Sequence, residues 1–136
     1  MSAILHVEDD ANDALFLRRA FAKARLSVAL HQVADGQEAI DYLSGAGAFA
    51  DRGRFPVPSL ILLDLKLPAL SGFDVLFWIR QSPALKDLRV FILTSSDRHE
   101  DSDRALKLGA ERYIIKTYPF EDVVQEVRAL LPDGGQ

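Results

Sequence analysis

Cysteine is absent from this chain, which excludes both a disulfide framework and a thiolate metal site. A surplus of positive charge is absent as well. Sixteen Lys and Arg against 20 Asp and Glu leave a net charge of −4, the wrong sign for bulk attraction to nucleic acid. No apolar run approaches the about 20 residues that a membrane-spanning helix needs. The N-terminus lacks a basic segment leading into a long apolar stretch, so no signal peptide is read. A soluble cytoplasmic protein, bound to neither membrane nor nucleic acid, is the expectation. Internal repeats and low-complexity tracts are also missing. What is present suits one globular domain: 136 residues, 49% hydrophobic and 26% charged, enough for a single core and too apolar for disorder.

Five short, β-prone apolar runs alternate with helix-like segments. The runs are Ala3–Val7, Val28–Val33, Leu60–Leu63, Val90–Leu93 and Arg112–Ile115. This alternation predicts βα units and a parallel sheet. The first, third and fourth runs are nearly all apolar, as central strands covered on both faces must be. Between them, Leu17/Phe21 and Ala20/Ala24 repeat at helical spacing, as do Ala39, Ile40 and Leu43, then Leu76 and Ile79, then Ala105 and Leu108 with Gly109 as a stop. Phe120, Val123, Val124, Val127, Leu130 and Leu131 form an apolar stripe behind Pro119, which suits a first helical turn. The stretch Ser44–Pro58, with three glycines and two prolines, reads as a long loop. The last five residues, Pro132 to Gln136, read as a frayed tail. The expectation is one domain over 1–136, core about 3–131, with no output domain. Its fold is α/β, a doubly wound (βα)₅ flavodoxin-like sandwich around a five-stranded parallel sheet of order 2-1-3-4-5.

Such a sheet places its ligands at the C-terminal edge, and chemistry-bearing residues gather there. Glu8, Asp9 and Asp10 follow the first strand, Asp64 the third, Thr94 the fourth and Lys116 the fifth. Clustered carboxylates repel unless a cation neutralises them. Glu8, Asp9 and Asp64, with the backbone carbonyl of Lys66, offer the oxygen ligands that Mg²⁺ prefers. Asp64 can act as a nucleophile and form a mixed anhydride with phosphate. The Lys116 ammonium then offsets charge on the phosphoryl oxygens, and the Thr94 hydroxyl donates a hydrogen bond to one of them. An Asp at a strand end is more often a cap than a nucleophile; it is the joint pattern that favours chemistry. Asp10 reads as the cap of the first helix. His6 reads as a buried, hydrogen-bonded core residue, His31 and His99 as surface residues. Phe73, Leu76, Phe77, Trp78 and Ile79 read mainly as core, and Glu100-Asp101-Ser102-Asp103 as a solvated helix start.

This constellation resembles the receiver domain of two-component response regulators over the whole chain. The resemblance rests on Val7-Glu8-Asp9-Asp10, on Asp64-Leu65-Lys66-Leu67-Pro68 with Gly72, on Leu93-Thr94-Ser95, on Gly109-Ala110 and on Tyr113-Ile114-Ile115-Lys116. The spacings, 30 residues from Asp64 to Thr94 and 22 from Thr94 to Lys116, are those of receivers. It implies that Asp64 accepts phosphate from a sensor histidine kinase or a phosphotransfer protein, with Glu8 and Asp9 as the acidic pair. Thr94 matches the switch hydroxyl, Lys116 the phosphoryl-contacting lysine and Tyr113 the switch aromatic. It also implies a switch rather than a turnover enzyme, and a homodimer through the face of the fourth helix, fifth strand and fifth helix, with Tyr118 and Phe120 near enough to join.

Three features depart from the family pattern. Receivers follow the lysine with a proline in cis; here Thr117 follows, and a cis bond before a non-proline costs about 3 kcal/mol, so the isomer of that bond is left open. The Ser44–Pro58 loop is long. Lys66 stands where relatives tune dephosphorylation, and its ammonium is expected to pair with Asp64 or an acidic neighbour when metal is absent. The long loop, Asp35-Gly36 and the Lys-Thr ending resemble the small regulators associated with bacterial and cyanobacterial phytochromes. The alternatives are a pseudo-receiver that binds partners without phosphate and a phosphatase with an aspartyl nucleophile. Such phosphatases typically carry a second Asp two residues on, where this chain has Lys66.

Overall fold

Apolar segments of four to six residues pair side by side, each returned by a helix, in the computed structural model, which describes residues 3–117 and 119–131. The elements are β1 (Ala3–Val7), α1 (Ala11–Ala24), β2 (Ala29–Val33), α2 (Gly36–Ser44), a 3₁₀ turn (Gly47–Phe49), β3 (Leu60–Leu63), α3 (Gly72–Gln81), β4 (Arg89–Thr94), α4 (His99–Lys107), β5 (Arg112–Ile115) and α5 (Phe120–Arg128). All strand pairs are parallel and the order is β2-β1-β3-β4-β5, as the alternation predicts. β4 begins at Arg89 and includes Thr94, one residue longer than expected at each end, and β2 begins at Ala29, one residue later than expected; element ends are where apolar patterning is least informative. The readings placed on Tyr118 and on 132–136 lie outside the described residues. Among the described residues no helix is long and apolar enough to cross a membrane.

The pleat sends alternate strand residues to opposite faces. Leu5, Val7, Ile61, Leu63 and Ile92 pack with Ala39, Leu76, Ile79 and Ala105 of α2, α3 and α4. Ile4, Leu60, Leu62, Phe91 and Ile114 pack with Leu17, Phe21, Val123 and Val127 of α1 and α5. β1 and β3 are buried throughout, the continuous apolar reading of a strand covered on both sides. In α3 the crowd of apolar residues divides: Leu76 and Ile79 are buried, Phe73 and Trp78 half-buried, and Phe77 is 54% exposed.

Register aligns the strand ends. Val7 pairs with Val33 and Leu63, Leu63 with Ile92, and Thr94 with Ile115. Three bonds extend the ladder beyond the strands: Glu8 N–H donates to Val33 O, Asp64 N–H to Val7 O, and Lys116 N–H to Thr94 O. Positions 8, 64, 94 and 116 therefore share one edge.

Local chemistry fixes the helix starts around that edge. Asp10 caps α1, accepting from Asn12 N–H and Asp13 N–H at 2.9 and 3.0 Å. Ser71 and Asp74 form a reciprocal capping box on α3. Gly72 is required by close approach. A Cβ there would overlap the Asp64 carbonyl oxygen and lie 2.7 Å from Leu65 Cα, so only glycine lets α3 start against the turn that carries Asp64. The long loop is built rather than slack. The Tyr42, Phe49 and Phe55 rings pack together there, Phe55 edge-on to both of the others. Arg52 donates to the carbonyls of Tyr42 and Leu43 in the last turn of α2 and to that of Phe55, tying the loop to a helix end whose carbonyls have spare acceptor capacity.

Candidate functional site

Glu8, Asp9, Asp10, Asp13, Asp64, Lys66, Ser95 and Lys116 line a cavity of about 440 Å³ at the C-terminal edge of the sheet. Its centre is an ammonium among carboxylates. Lys116 Nζ lies 2.7 Å from Asp13 Oδ2, 2.9 Å from Asp64 Oδ2 and 2.7 Å from Glu8 Oε1. The contacts to Asp13 and Asp64 are hydrogen bonds; Glu8 Oε1 pairs by charge at an angle too poor for one. Burial disfavours the ammonium, but its contacts with Asp13, Glu8 and Asp64 outweigh this and hold the Lys116 pKa above the ordinary lysine range.

Asp64 is nearly fully buried, and its second oxygen, Oδ1, accepts Lys66 N–H at 3.1 Å. Glu8 Oε2 accepts Asp10 N–H at 3.1 Å. Burial pushes the Glu8 carboxyl up to about 7, against the pull of Lys116 and the Asp10 amide. Glu8, Asp9 and Asp64 each bring a carboxylate oxygen within 4.8 Å of the others. That spacing, with no sulfur or imidazole among the three, fits a hard divalent cation with oxygen ligands. Asp9 is exposed, which leaves an approach from solvent.

Each residue expected at this edge reaches it, but not each in the expected manner. The Lys116–Thr117 bond is trans, since no cis bond occurs among the described residues. Lys66 is exposed, and its ammonium makes no ion pair among the described residues. Lys116 occupies the pairing expected of it, because a lysine rooted at the end of β5 reaches all three carboxylates from within the pocket. Thr94 is fully buried and does not line the cavity; its Oγ1 accepts Ser96 N–H at a long 3.4 Å. Tyr113 donates from its hydroxyl to Ser96 O at 2.9 Å. His31 is half-buried against the Tyr42 and Phe55 rings rather than a free surface residue, whereas His99 is exposed.

Two participants escaped the reading of the sequence. Asp13, an acid one turn into α1, binds Lys116 across 103 positions of chain; a first-turn acid ordinarily needs no partner beyond the helix dipole. Ser96 is buried, donates from its hydroxyl to Asp101 Oδ2 at 2.6 Å and receives Tyr113 through its carbonyl. It joins the β4–α4 loop to both the start of α4 and β5.

His6 departs further. It is 1% exposed, as expected, but neither ring nitrogen has a hydrogen-bond partner. Burial, with the Lys116 charge adding to it, lowers its pKa from 6.5 to about 3. The unfolded chain takes up a proton below pH 6.5 that the folded chain refuses, so stability falls as pH drops from 6.5 toward 3. Glu8 acts with the opposite sign: the folded chain keeps a proton that the unfolded chain releases above 4.5, and stability falls as pH rises from 4.5 to about 7. His6→Leu removes the first effect alone. Its stability relative to wild type, from urea unfolding, is expected to grow as pH falls below 6.5, with a slope approaching about 1.4 kcal/mol per pH unit. A difference constant over that range would contradict the burial of a neutral imidazole.

Comparison with known proteins adds a second line of observation. A family model described as "Response regulator receiver domain" matches residues 4–128. The probable methanogenesis regulatory protein FilR2 of Methanothrix harundinacea is 34% identical over 127 residues, covering 93% of this chain and 79% of that protein. Response regulator Rcp1 of Synechocystis is 32% identical over 127 residues, 93% and 84% of the two chains. Among solved structures, response regulator RPA3017 in red light signalling of R. palustris has a TM-score of 0.84 at 35% identity, over 96% and 91% of the chains. The phosphorylated cyanobacterial phytochrome response regulator RcpA has 0.82 at 32%, over 95% and 90%. The Mn²⁺-bound form of Rcp1 has 0.81 at 31%, over 96% and 91%.

Proposed function

Since the chain belongs to the response-regulator receiver family, we propose that it relays a signal by accepting a phosphoryl group on Asp64 from the phosphohistidine of a sensor histidine kinase or phosphotransfer protein. The observation that carries this reading is the Lys116 ammonium held among Glu8, Asp13 and Asp64 at 2.7 to 2.9 Å. A cation fixed beside a buried carboxylate is what charge development on a transferring phosphoryl group requires. Glu8, Asp9 and Asp64, with the backbone carbonyl of Lys66, are the residues that would hold Mg²⁺. When bound, that ion supplies positive charge against the phosphoryl oxygens.

The remaining work falls to side chains. An Asp64 carboxylate oxygen attacks phosphorus, the O–P bond forms as the donor's N–P bond breaks, and the electron pair returns to the donor imidazole, which takes a proton. Lys116 keeps Asp64 oriented before attack and contacts a phosphoryl oxygen after it. The Thr94 hydroxyl donates to another phosphoryl oxygen. Thr94 does not line the cavity, so this bond requires the β4–α4 segment to move, and that segment is the one to which Tyr113 is tied through Ser96 O. Motion of Thr94 is thereby coupled to the Tyr113 ring, a two-state element that phosphorylation biases. Hydrolysis of the acyl phosphate resets it. The module is a switch rather than a turnover enzyme, and a cytoplasmic site of action belongs to the same proposal.

Likeness to the red-light and phytochrome regulators supports a bacteriophytochrome as the kinase. The α4-β5-α5 face, which carries the half-exposed Tyr113 and Ile115, is the proposed homodimer contact; Phe120, expected to join it, lies instead beside Phe16, Arg19 and Ala20 of α1. Sedimentation velocity at tens of micromolar, about the Kd of a modest contact, is expected to show dimer; monomer alone, with and without phosphorylation, would rule it out.

The reading is tested by intact mass after incubation with a small acyl phosphate and Mg²⁺, beside a chelator control. The expected result is a gain of one phosphoryl group that the chelator abolishes. No gain, even with a purified histidine kinase as donor, would favour a phosphate-independent interaction module.

A further inference from the structure

His6 lies in the middle of β1, opposite Gln32 on one side and Leu62 on the other. The rest of that strand is aliphatic and buried, and an aliphatic residue at position 6 would be easier to bury. Both ring nitrogens lack a hydrogen-bond partner. Buried polar atoms in that condition are uncommon and call for an explanation. The closest charged oxygen gives one. His6 Nε2 lies 3.9 Å from Glu8 Oε1, and Glu8 Oε1 is itself without a well-aligned hydrogen bond. A potential donor and an acceptor, both unsatisfied, face each other about 1 Å beyond the usual N–H···O distance. What draws Glu8 Oε1 the other way is Lys116 Nζ at 2.7 Å.

We propose that His6 is a positioning residue for the cation site: its Nε2–H donates to Glu8 Oε1 when that carboxylate ligates a divalent cation. The inference rests on the reading that Glu8, Asp9 and Asp64 hold the cation. A carboxylate that ligates a cation gives up part of its attraction to a neighbouring ammonium, which frees Oε1 from Lys116. Glu8 has rotatable bonds enough to move by the missing 1 Å, whereas His6 is fixed by the strand. The carboxylate would then be held at both oxygens, Oε2 by Asp10 N–H and Oε1 by His6, with lone pairs left for the metal. Outer hydrogen bonds of this kind orient ligands and raise metal affinity. The proposal also accounts for a histidine in an otherwise aliphatic strand.

The test combines calorimetric Mg²⁺ titration of wild type, His6→Leu and His6→Gln with NMR of ¹⁵N-histidine-labelled wild type. Leu removes the donor and Gln retains one. His6→Leu is expected to weaken Mg²⁺ binding by about tenfold, and His6→Gln to restore much of it. In the loaded wild type the His6 imidazole is expected as the Nε2–H tautomer, its proton shifting downfield as Mg²⁺ is added. Unchanged affinity in His6→Leu, or an Nδ1–H tautomer in the loaded protein, would overturn the positioning role while leaving the cation site standing. Wild type that binds no Mg²⁺ would overturn both.

Discussion

Lys116→Met is expected to cost about 3–5 kcal/mol of stability when divalent cations are chelated, the usual loss when one partner of a buried ionic cluster is removed. The ammonium is the shared partner of Glu8, Asp13 and Asp64, and its side chain is 13% exposed. Without it, buried carboxylates face one another with little water to separate them. Glu8, whose carboxyl burial already raises to about 7, would take up a proton first, so the loss should be smaller below that pH than above it. Divalent cation should then substitute for the lost charge. Mg²⁺ is expected to raise the unfolding midpoint of the variant more than that of wild type, because ligand that binds only the folded chain stabilises it in proportion to RT ln(1 + [L]/Kd). Urea unfolding of both proteins with chelator and with Mg²⁺ checks this. A loss under about 1 kcal/mol, typical of exposed pairs, would show that the cluster is solvated.

Asp64→Asn is expected to abolish phosphoryl acceptance, by about 10⁴-fold or more, as deletion of a covalent nucleophile does, while leaving the fold intact. Asparagine has nearly the same volume, and its Oδ1 can still accept the Lys66 N–H that Asp64 accepts at 3.1 Å. It also removes one of three carboxylates within 4.8 Å, so it relieves repulsion and weakens cation binding. The rate of mass gain from a small acyl phosphate, set beside the unfolding midpoint, separates lost chemistry from lost structure. Equal labelling of wild type and variant would place the phosphoryl group elsewhere.

These predictions draw on features that were unequally legible in the chain. β1, β3 and β4 announced themselves because a strand covered on both faces needs apolar residues at every position, and Leu60–Leu63 has them. The convergence of Glu8, Asp64 and Lys116 followed from sheet order, since register alone brings the ends of β1, β3 and β5 to one edge. Asp13 was not legible: its contact with Lys116 depends on how α1 lies over the sheet, and packing leaves no periodic mark in sequence. Ser96 was hidden for the same reason, its partners lying on α4 and β5. Lys66 was misplaced because proximity in sequence to Asp64 does not determine which lysine enters the pocket. His6 was legible as buried but not as unsatisfied; the 3.9 Å gap to Glu8 arises only in the folded chain. The Ser44–Pro58 stretch was legible as a long loop, but Arg52 and the Tyr42–Phe49–Phe55 rings order it through contacts that glycine and proline content cannot reveal.

The central claim is that Asp64 itself carries the phosphoryl group, and chemical mapping tests it most directly. Protein treated with acyl phosphate and Mg²⁺ is reduced with borohydride, which converts an aspartyl phosphate to homoserine, and is then digested and sequenced by mass spectrometry. The account predicts homoserine at position 64 and nowhere else, dependent on Mg²⁺. Phosphate on Thr94, Ser95 or Ser96, or homoserine at Asp9 or Asp13 with Asp64 untouched, would contradict it.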